Sequence, residues 1–217
     1  MAVVSISRQF GAGGRTLGQQ VAKRLGYQFI DQTVIDRVAE KANVSAEWVE
    51  AVEKEAGGRL MRILSGLVSS DFIERLLGES SCEACDFDQK KYVGFIEKVF
   101  REIAEQGEAV IIGRASQVIL KDDPQVIRVL LVGELEDRIQ FMMNRHKLDR
   151  IGAERAISIA ERKRKAMMSL FGVEDPDSPY LYQLIINTSQ TSLPWAEDII
   201  CCMVGSVVDK FAKPIWD

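Results

Sequence analysis

The chain has 217 residues, 47% of them hydrophobic and 28% charged, with a formal net charge of −4. Those values belong to a globular chain and exclude a disordered chain, a collagen-like chain, a small disulfide scaffold and a general nucleic-acid coat. No apolar run approaches the roughly 18–20 residues of a membrane span, and Met1–Ser7 lacks the basic start of a signal peptide, so a cytoplasmic protein with no membrane partner is expected.

Ala2–Ser7 predicts a short buried strand. The glycine cluster Gly11-Ala-Gly-Gly14 follows, then Leu17, Val21 and Leu25 mark one face of a helix that Gly26 ends. Tyr27–Ile30 predicts a second strand, stopped at Asp31, and Val34, Ile35, Val38 and Ala39 begin another helix. This strand–loop–helix–strand–helix order argues for an α/β fold with a parallel sheet. Residues 43–105 differ, because they carry helical periodicity and no convincing strand. One stripe is Leu60, Ile63, Leu64, Leu67 and Val68; another is Val93, Ile96, Val99, Phe100 and Ile103. Between them Gly78–Asp88, rich in Gly, Ser and acid, predicts a mobile loop.

The α/β pattern then resumes. Strands are predicted at Ala109–Ile112 and Val126–Val132, and a helix carries Leu135, Ile139, Met142 and Met143. A second helix spans Ala153–Phe171, and Asp175-Pro-Asp-Ser-Pro179 forms a turn-rich break. Leu184–Asn187 is the last strand and Trp195–Phe211 the closing helix. The expectation is one domain over residues 1–217 with a helical insertion at about 43–105. His146, Trp48 and Trp195 read as packing residues. Of the four cysteines, Cys82 and Cys85 form a C-x-x-C, but Cys201 and Cys202 are adjacent, which is poor bite for zinc. The second pair reads as core thiols.

Charge is distributed unevenly. From Arg138 to Lys165 there are nine basic and three acidic residues, a local +6 that leaves −10 for the remainder. A solvated helix face explains most such runs; an anion site on an acidic protein is the sharper alternative.

The stretch Ser7-Arg-Gln-Phe-Gly-Ala-Gly-Gly-Arg-Thr16 lies between the first strand and the first helix. Backbone N–H groups of such a loop and the helix start form a cradle for phosphate, and small residues let the backbone approach the anion. Gly14-Arg15-Thr16 fits the end of the pattern G-x-x-x-x-G-K-[ST] with Arg for Lys, and Gln9 stands where its first glycine belongs. Gly11, Ala12, Gly13 and Gly14 are therefore candidate phosphate contacts. Arg15 is a candidate cation for β/γ oxygens, and the Thr16 hydroxyl a candidate Mg²⁺ ligand. A competing reading takes Gly11-Ala-Gly13 as the start of a dinucleotide fingerprint, with Asp31 as the ribose-binding acid 20 residues on. Thr16 stands where that fingerprint needs its third glycine.

Five segments in order, Ile6–Arg15, Phe29-Ile-Asp31, Ile112-Gly-Arg114, Glu134-Leu-Glu-Asp-Arg138 and Ile186-Asn-Thr188, resemble the cytidylate kinase-like family of P-loop nucleoside-monophosphate kinases. The resemblance implies a P-loop NTPase-type core with a short parallel sheet, a helical monophosphate-binding insertion and a basic helical lid at about 145–175. It implies that Gly11 to Thr16 hold ATP phosphates and that Asp31 faces the acceptor. Arg114 would lie beside the acceptor phosphate, Arg138 near the donor nucleotide and Arg164 in the lid. Asp31 reads equally as the N-cap of the helix at Val34. The family carries Lys in the loop and Asp after the Gly-Arg, where this chain has Arg15 and Ala115.

Arg164 is informative on geometry alone. At 100° per residue it falls in the centre of a stripe formed by Ile157, Ala160, Met167, Met168 and Phe171. An inward guanidinium needs an anionic partner, either Glu161 one turn back or a bound phosphate. The expected function is ATP- and Mg²⁺-dependent phosphoryl transfer to a small nucleotide, most simply CMP or dCMP, with Arg15, Arg114 and Arg164 supplying the catalytic charge. The alternative is a nucleotide-binding regulatory module without turnover.

Overall fold

The computed structural model describes residues 2–31 and 84–209. Five parallel strands form its sheet: β1 (Val3–Arg8), β2 (Gln28–Ile30), β3 (Ala109–Ile112), β4 (Val126–Val132) and β5 (Leu184–Asn187). Their order is β2-β3-β1-β4-β5. The middle strand β1 aligns Val3 with Ala109 on one side and with Val126 on the other.

The described helices are α1 (Gly14–Leu25), α2 (Ala84–Gln106), the single turn α3 (Ser116–Ile119), α4 (Leu135–His146), α5 (Arg150–Ser169) and α6 (Leu193–Asp209). Both sheet faces are covered, so the central strands read as continuous apolar runs. On one face Val4, Ile6, Val110, Ile112, Val129 and Leu131 pack with Leu17, Val21, Ala196 and Ile200 of α1 and α6. On the other, Val3, Ala109, Ile111 and Val126 meet Ile96, Val99, Phe100 and Ile103 of α2. The stripe predicted around Phe100 is thus the covering face of a helix.

The strand order removes the dinucleotide reading. A Rossmann sheet pairs the first two strands, whereas here β3 lies between β1 and β2. The loop predicted to reach Asp88 stops sooner, since α2 is helical from Ala84. Residues 32–83, with the Val34 helix, the Leu60 stripe, Trp48 and Cys82, lie outside the described residues, as do the last residues of the predicted closing helix. Among the described residues no helix is long and apolar enough to cross a membrane.

Candidate active site

The carboxyl ends of β1, β2, β3 and β4 deliver the candidate residues to one edge of the sheet. Between β1 and α1 runs a five-residue loop, Gln9 to Gly13. Gly11 and Gly13 adopt the left-handed region, with φ of 91° and 78°. At Gly11 a Cβ would lie 2.9 Å from both Cβ and the carbonyl oxygen of Arg138, so the loop can lie on α4 only without a side chain there. Gly13 caps α1, no side chain caps it further, and its first turn has no acidic residue. The first intrahelical bond runs from the Leu17 N–H to the Gly13 carbonyl at 3.0 Å. The N–H groups of Gly13, Gly14, Arg15 and Thr16 therefore lack intrahelical acceptors and concentrate positive potential at the helix start. That is the donor set of an anion cradle.

Around this cradle stand the predicted cations. Arg15 is 64% exposed and its Nη2 lies 3.1 Å from Asp31 Oδ2, so the phosphate loop and the tip of β2 are tied by an ion pair. The pair places Asp31 against a loop cation; the helix at Val34 that it would cap lies outside the described residues. Arg114 sits in the turn after β3, where Gly113, Arg114 and Ala115 have φ of 71°, 55° and 57°. Two consecutive non-glycine residues in the left-handed region cost of order 1–3 kcal/mol each. The turn is secured from below by a 2.7 Å hydrogen bond between the buried Ser5 and Ser116 hydroxyls. Burial lowers the Arg114 pKa to about 10, with Asp31 opposing the shift and Arg8 adding to it. The group remains charged at neutral pH, in surroundings that favour an arriving anion.

Arg138 is 12% exposed and makes three hydrogen bonds. Its Nε donates to the Gly133 carbonyl at 3.0 Å, and its Nη1 to the Phe10 carbonyl and to Glu161, both at 3.2 Å. It clamps the loop to α4. Arg164 is inward, as its helical position predicts, and 15% exposed. Its Nη1 meets Glu161 at 3.3 Å, and its Nη2 meets Asp177 at 2.5 Å and the Pro176 carbonyl at 3.1 Å. The buried Arg164 Nε has no partner among the described residues.

Four further residues line the site. Asp177 accepts from Arg164 and, at 2.8 Å, from Gln9 Nε2, while Gln9 Oε1 accepts from the Gly133 N–H at 3.1 Å. Glu161 Oε1 accepts from the Phe10 N–H at 2.6 Å, so a carboxylate of α5 occupies one amide of the loop. Arg8 closes the floor between the loop and the Gly113 turn. Asp177 went unassigned because an aspartate inside Asp-Pro-Asp-Ser-Pro carries a turn signal, and its partner lies 13 residues away in sequence.

Arg164→Met is expected to destabilise the fold, since it strips Asp177 of its ion-pair partner and Glu161 of one of its two. Both carboxylates are about a third exposed, so solvent screening reduces the loss to about 1–2 kcal/mol, equivalent to about 2–8 °C in Tm. Thermal melting of the two proteins measures it. The acid limb of stability carries a second prediction. Burial raises the Asp177 carboxyl, but hydrogen bonds from Arg164 and Gln9 outweigh it and hold the pKa below the ordinary value. A carboxyl lowered in the folded state stabilises above its unfolded pKa of about 3.9 and loses that contribution as pH falls through the folded value. Asp177→Asn should therefore flatten the dependence of Tm on pH below about 4.

Elsewhere the structure corrects the sequence reading. His146 and Trp195 are exposed rather than packed. Cys201 packs against the sheet, but Cys202 is exposed. Arg150, part of the +6 segment, is a structural residue: it bridges Glu136 at 2.7 and 2.8 Å and Glu154 at 2.8 Å, joining α4 to α5. No group of three or more His, Cys, Asp or Glu suited to a metal occurs among the described residues.

The sequence pattern of the cytidylate kinase-like family matches residues 3–190. A curated relative, the cytidylate kinase of Methanopyrus kandleri, is 27% identical over 127 residues, which is 54% of this chain. The chain spans 63% of that relative's length. An uncharacterised protein from Eubacterium ventriosum superposes with a TM-score of 0.65 at 18% identity, over 95% of this chain and 99% of that one. Shikimate kinase from Acinetobacter baumannii, solved with shikimate, gives 0.48 at 18% identity, over 98% and 96%.

Proposed function

The chain belongs to the cytidylate kinase-like family, and from that membership and the site geometry we propose that it transfers the γ-phosphoryl group of ATP to a nucleoside monophosphate, CMP or dCMP first among them. The observation that carries this reading is the start of α1, free of any side-chain cap, with Arg15 in its first turn and Arg138 packed against Gly11 of the preceding loop. Phosphoryl transfer requires positioning and cations rather than covalent help. An acceptor phosphate oxygen attacks Pγ, the bond from Pγ to the β-bridging oxygen breaks, and the electron pair leaves on the β-phosphate. The acceptor is already anionic near neutral pH, so no general base is required and Ala115 is no obstacle.

The loop amides of Gly13 to Thr16, with Gly11 and Ala12 leaving room, would hold the donor phosphates. Arg15 and Arg114 would meet the acceptor beside Asp31, and Arg138 and Arg164 would steady the loop and lid. Thr16 fits a Mg²⁺ site: its hydroxyl is half-buried in the first helical turn and has no partner among the described residues. Mg²⁺ is commonly held by few protein groups plus phosphates and water, and when bound it neutralises charge on the β and γ oxygens. The orphan Arg164 Nε–H supplies a further donor for phosphate. Phosphorus-31 NMR of ATP–Mg²⁺ with pooled nucleoside monophosphates is the test. A growing nucleoside diphosphate signal supports the reading. ATP binding without any product would leave a regulatory nucleotide-binding module in its place.

A further inference from the structure

The phosphate loop lacks two features of the pattern G-x-x-x-x-G-K-[ST], its first glycine and its lysine. The structure anchors the register of that pattern. Gly13 is the left-handed cap and α1 starts at Gly14, so the glycine that immediately precedes the helix is Gly13. The lysine position is then Gly14, and the first glycine position, five residues before Gly13, is Arg8. That register places Arg8 at the first glycine and Gly14 at the lysine, and it moves the Ser/Thr position to Arg15, with the Thr16 hydroxyl one residue further on.

Side-chain packing links the two positions. Arg8 ends β1 and its side chain crosses the start of α1. A Cβ built on Gly14 would lie 2.8 Å from Arg8 Cγ, 3.0 Å from its Cβ and 3.2 Å from its Cδ. A side chain rooted at residue 14 would therefore begin in the volume that Arg8 fills. The guanidinium continues to the Gly113 turn, where a Cβ would fall on Arg8 Nη1. Gly14 has no left-handed backbone to explain it, so the space taken by Arg8 is its physical reason for being glycine. No carboxylate among the described residues lies within ion-pair distance of Arg8. Burial lowers its pKa, Asp31 opposing and Arg164 adding to the shift.

Resting on the kinase reading above, the geometry points to Arg8 as the phosphate-contacting cation of the loop, replacing the absent lysine from the strand side and standing between donor and acceptor phosphates. Arg15, turned toward Asp31, serves the acceptor side. A guanidinium offers a fork of donors where lysine offers a point charge, which suits a position that touches two phosphate groups.

Relocating the charge tests this. Arg8→Met, Gly14→Lys and the double variant Arg8→Gly/Gly14→Lys are compared with the parent by steady-state kinetics with CMP at saturating ATP–Mg²⁺. Calorimetry with inorganic tripolyphosphate and thermal melting accompany the kinetics. Arg8→Met should lower kcat by about 10²-fold, the scale for losing one transition-state charge contact, and weaken tripolyphosphate binding, while melting stays level or rises. Gly14→Lys alone should be impaired, because the new side chain meets Arg8. The double variant should exceed Arg8→Met in kcat by about tenfold, since it restores a cation at the site. A merely structural Arg8 would lose stability on substitution and gain nothing from a lysine at residue 14. Arg8→Met within about twofold of the parent, or a folded double variant no better than Arg8→Met, overturns the assignment. A parent that binds tripolyphosphate but phosphorylates no monophosphate ends the kinase reading alone, and Arg8 is then judged on the calorimetry. A parent that does neither ends both.

Discussion

Arg114→Met should lower kcat/KM for the acceptor by about 10²–10³-fold, the range for removing one preorganised charge from phosphate in a desolvated site. The side chain is held in a turn of three successive left-handed residues, anchored by the Ser5–Ser116 hydroxyl pair. Its burial depresses its pKa to about 10, so the folded protein already bears the cost of a poorly hydrated cation, and an incoming dianion offsets it. Methionine keeps the apolar stem and meets the same backbone restriction, so the substitution removes the guanidinium and leaves the rest of the side chain in place. The loss should fall on KM for the monophosphate as well as on kcat, because Arg114 would bind the acceptor in ground and transition states alike. Steady-state kinetics over the acceptor concentration, with melting curves in parallel, provide the measurement. Unchanged kcat/KM together with a lower Tm would make Arg114 a structural residue of the turn.

Arg15→Ala should reduce kcat/KM by on the order of 10²-fold, and Arg15→Lys should recover part of it. The pair with Asp31 gives this prediction a second handle. Arg15 is well exposed and its pair with Asp31 spans two elements, so the pair adds little to stability. Removing it should leave Tm almost unchanged and release the Asp31 carboxylate toward the acceptor. Anionic substrate would then meet uncompensated negative charge, which raises the penalty beyond the loss of one contact. Asp31→Asn should reverse part of the Arg15→Ala defect if that repulsion operates. Four proteins in one kinetic series resolve the coupling as a double-mutant cycle.

Much of the fold is legible in the chain because its strands are buried on both faces. Ala109–Ile112, Val126–Val132 and Leu184–Asn187 are bounded in the structure as their apolar runs predict. The inward place of Arg164 follows equally from helical periodicity. What failed has physical causes. His146 and Trp195 lie near helix ends, where a stripe in register with the core has already passed beyond it. The loop register depended on which of three glycines caps α1, and only backbone dihedrals reveal that. Arg8 was overlooked because an arginine closing a strand looks like a strand edge. Its meaning emerges when Gly14 and Gly113 are seen as the room it needs.

The place of β1 in the sheet carries a cost in time. The first strand of the chain is also the middle strand, and its pairing partners at Ala109 and Val126 are synthesised more than a hundred residues later. At about 5–20 residues per second, an emerging β1 waits on the order of 5–20 s before either neighbour exists. During that interval Val3, Val4 and Ile6, fully buried in the finished protein, have no sheet to enter. Closing those non-local contacts is the slow class of folding event. Nascent chains therefore expose this apolar segment until its neighbours are made, and the phosphate loop, built on the end of β1, is assembled only after β3 and β4 have arrived.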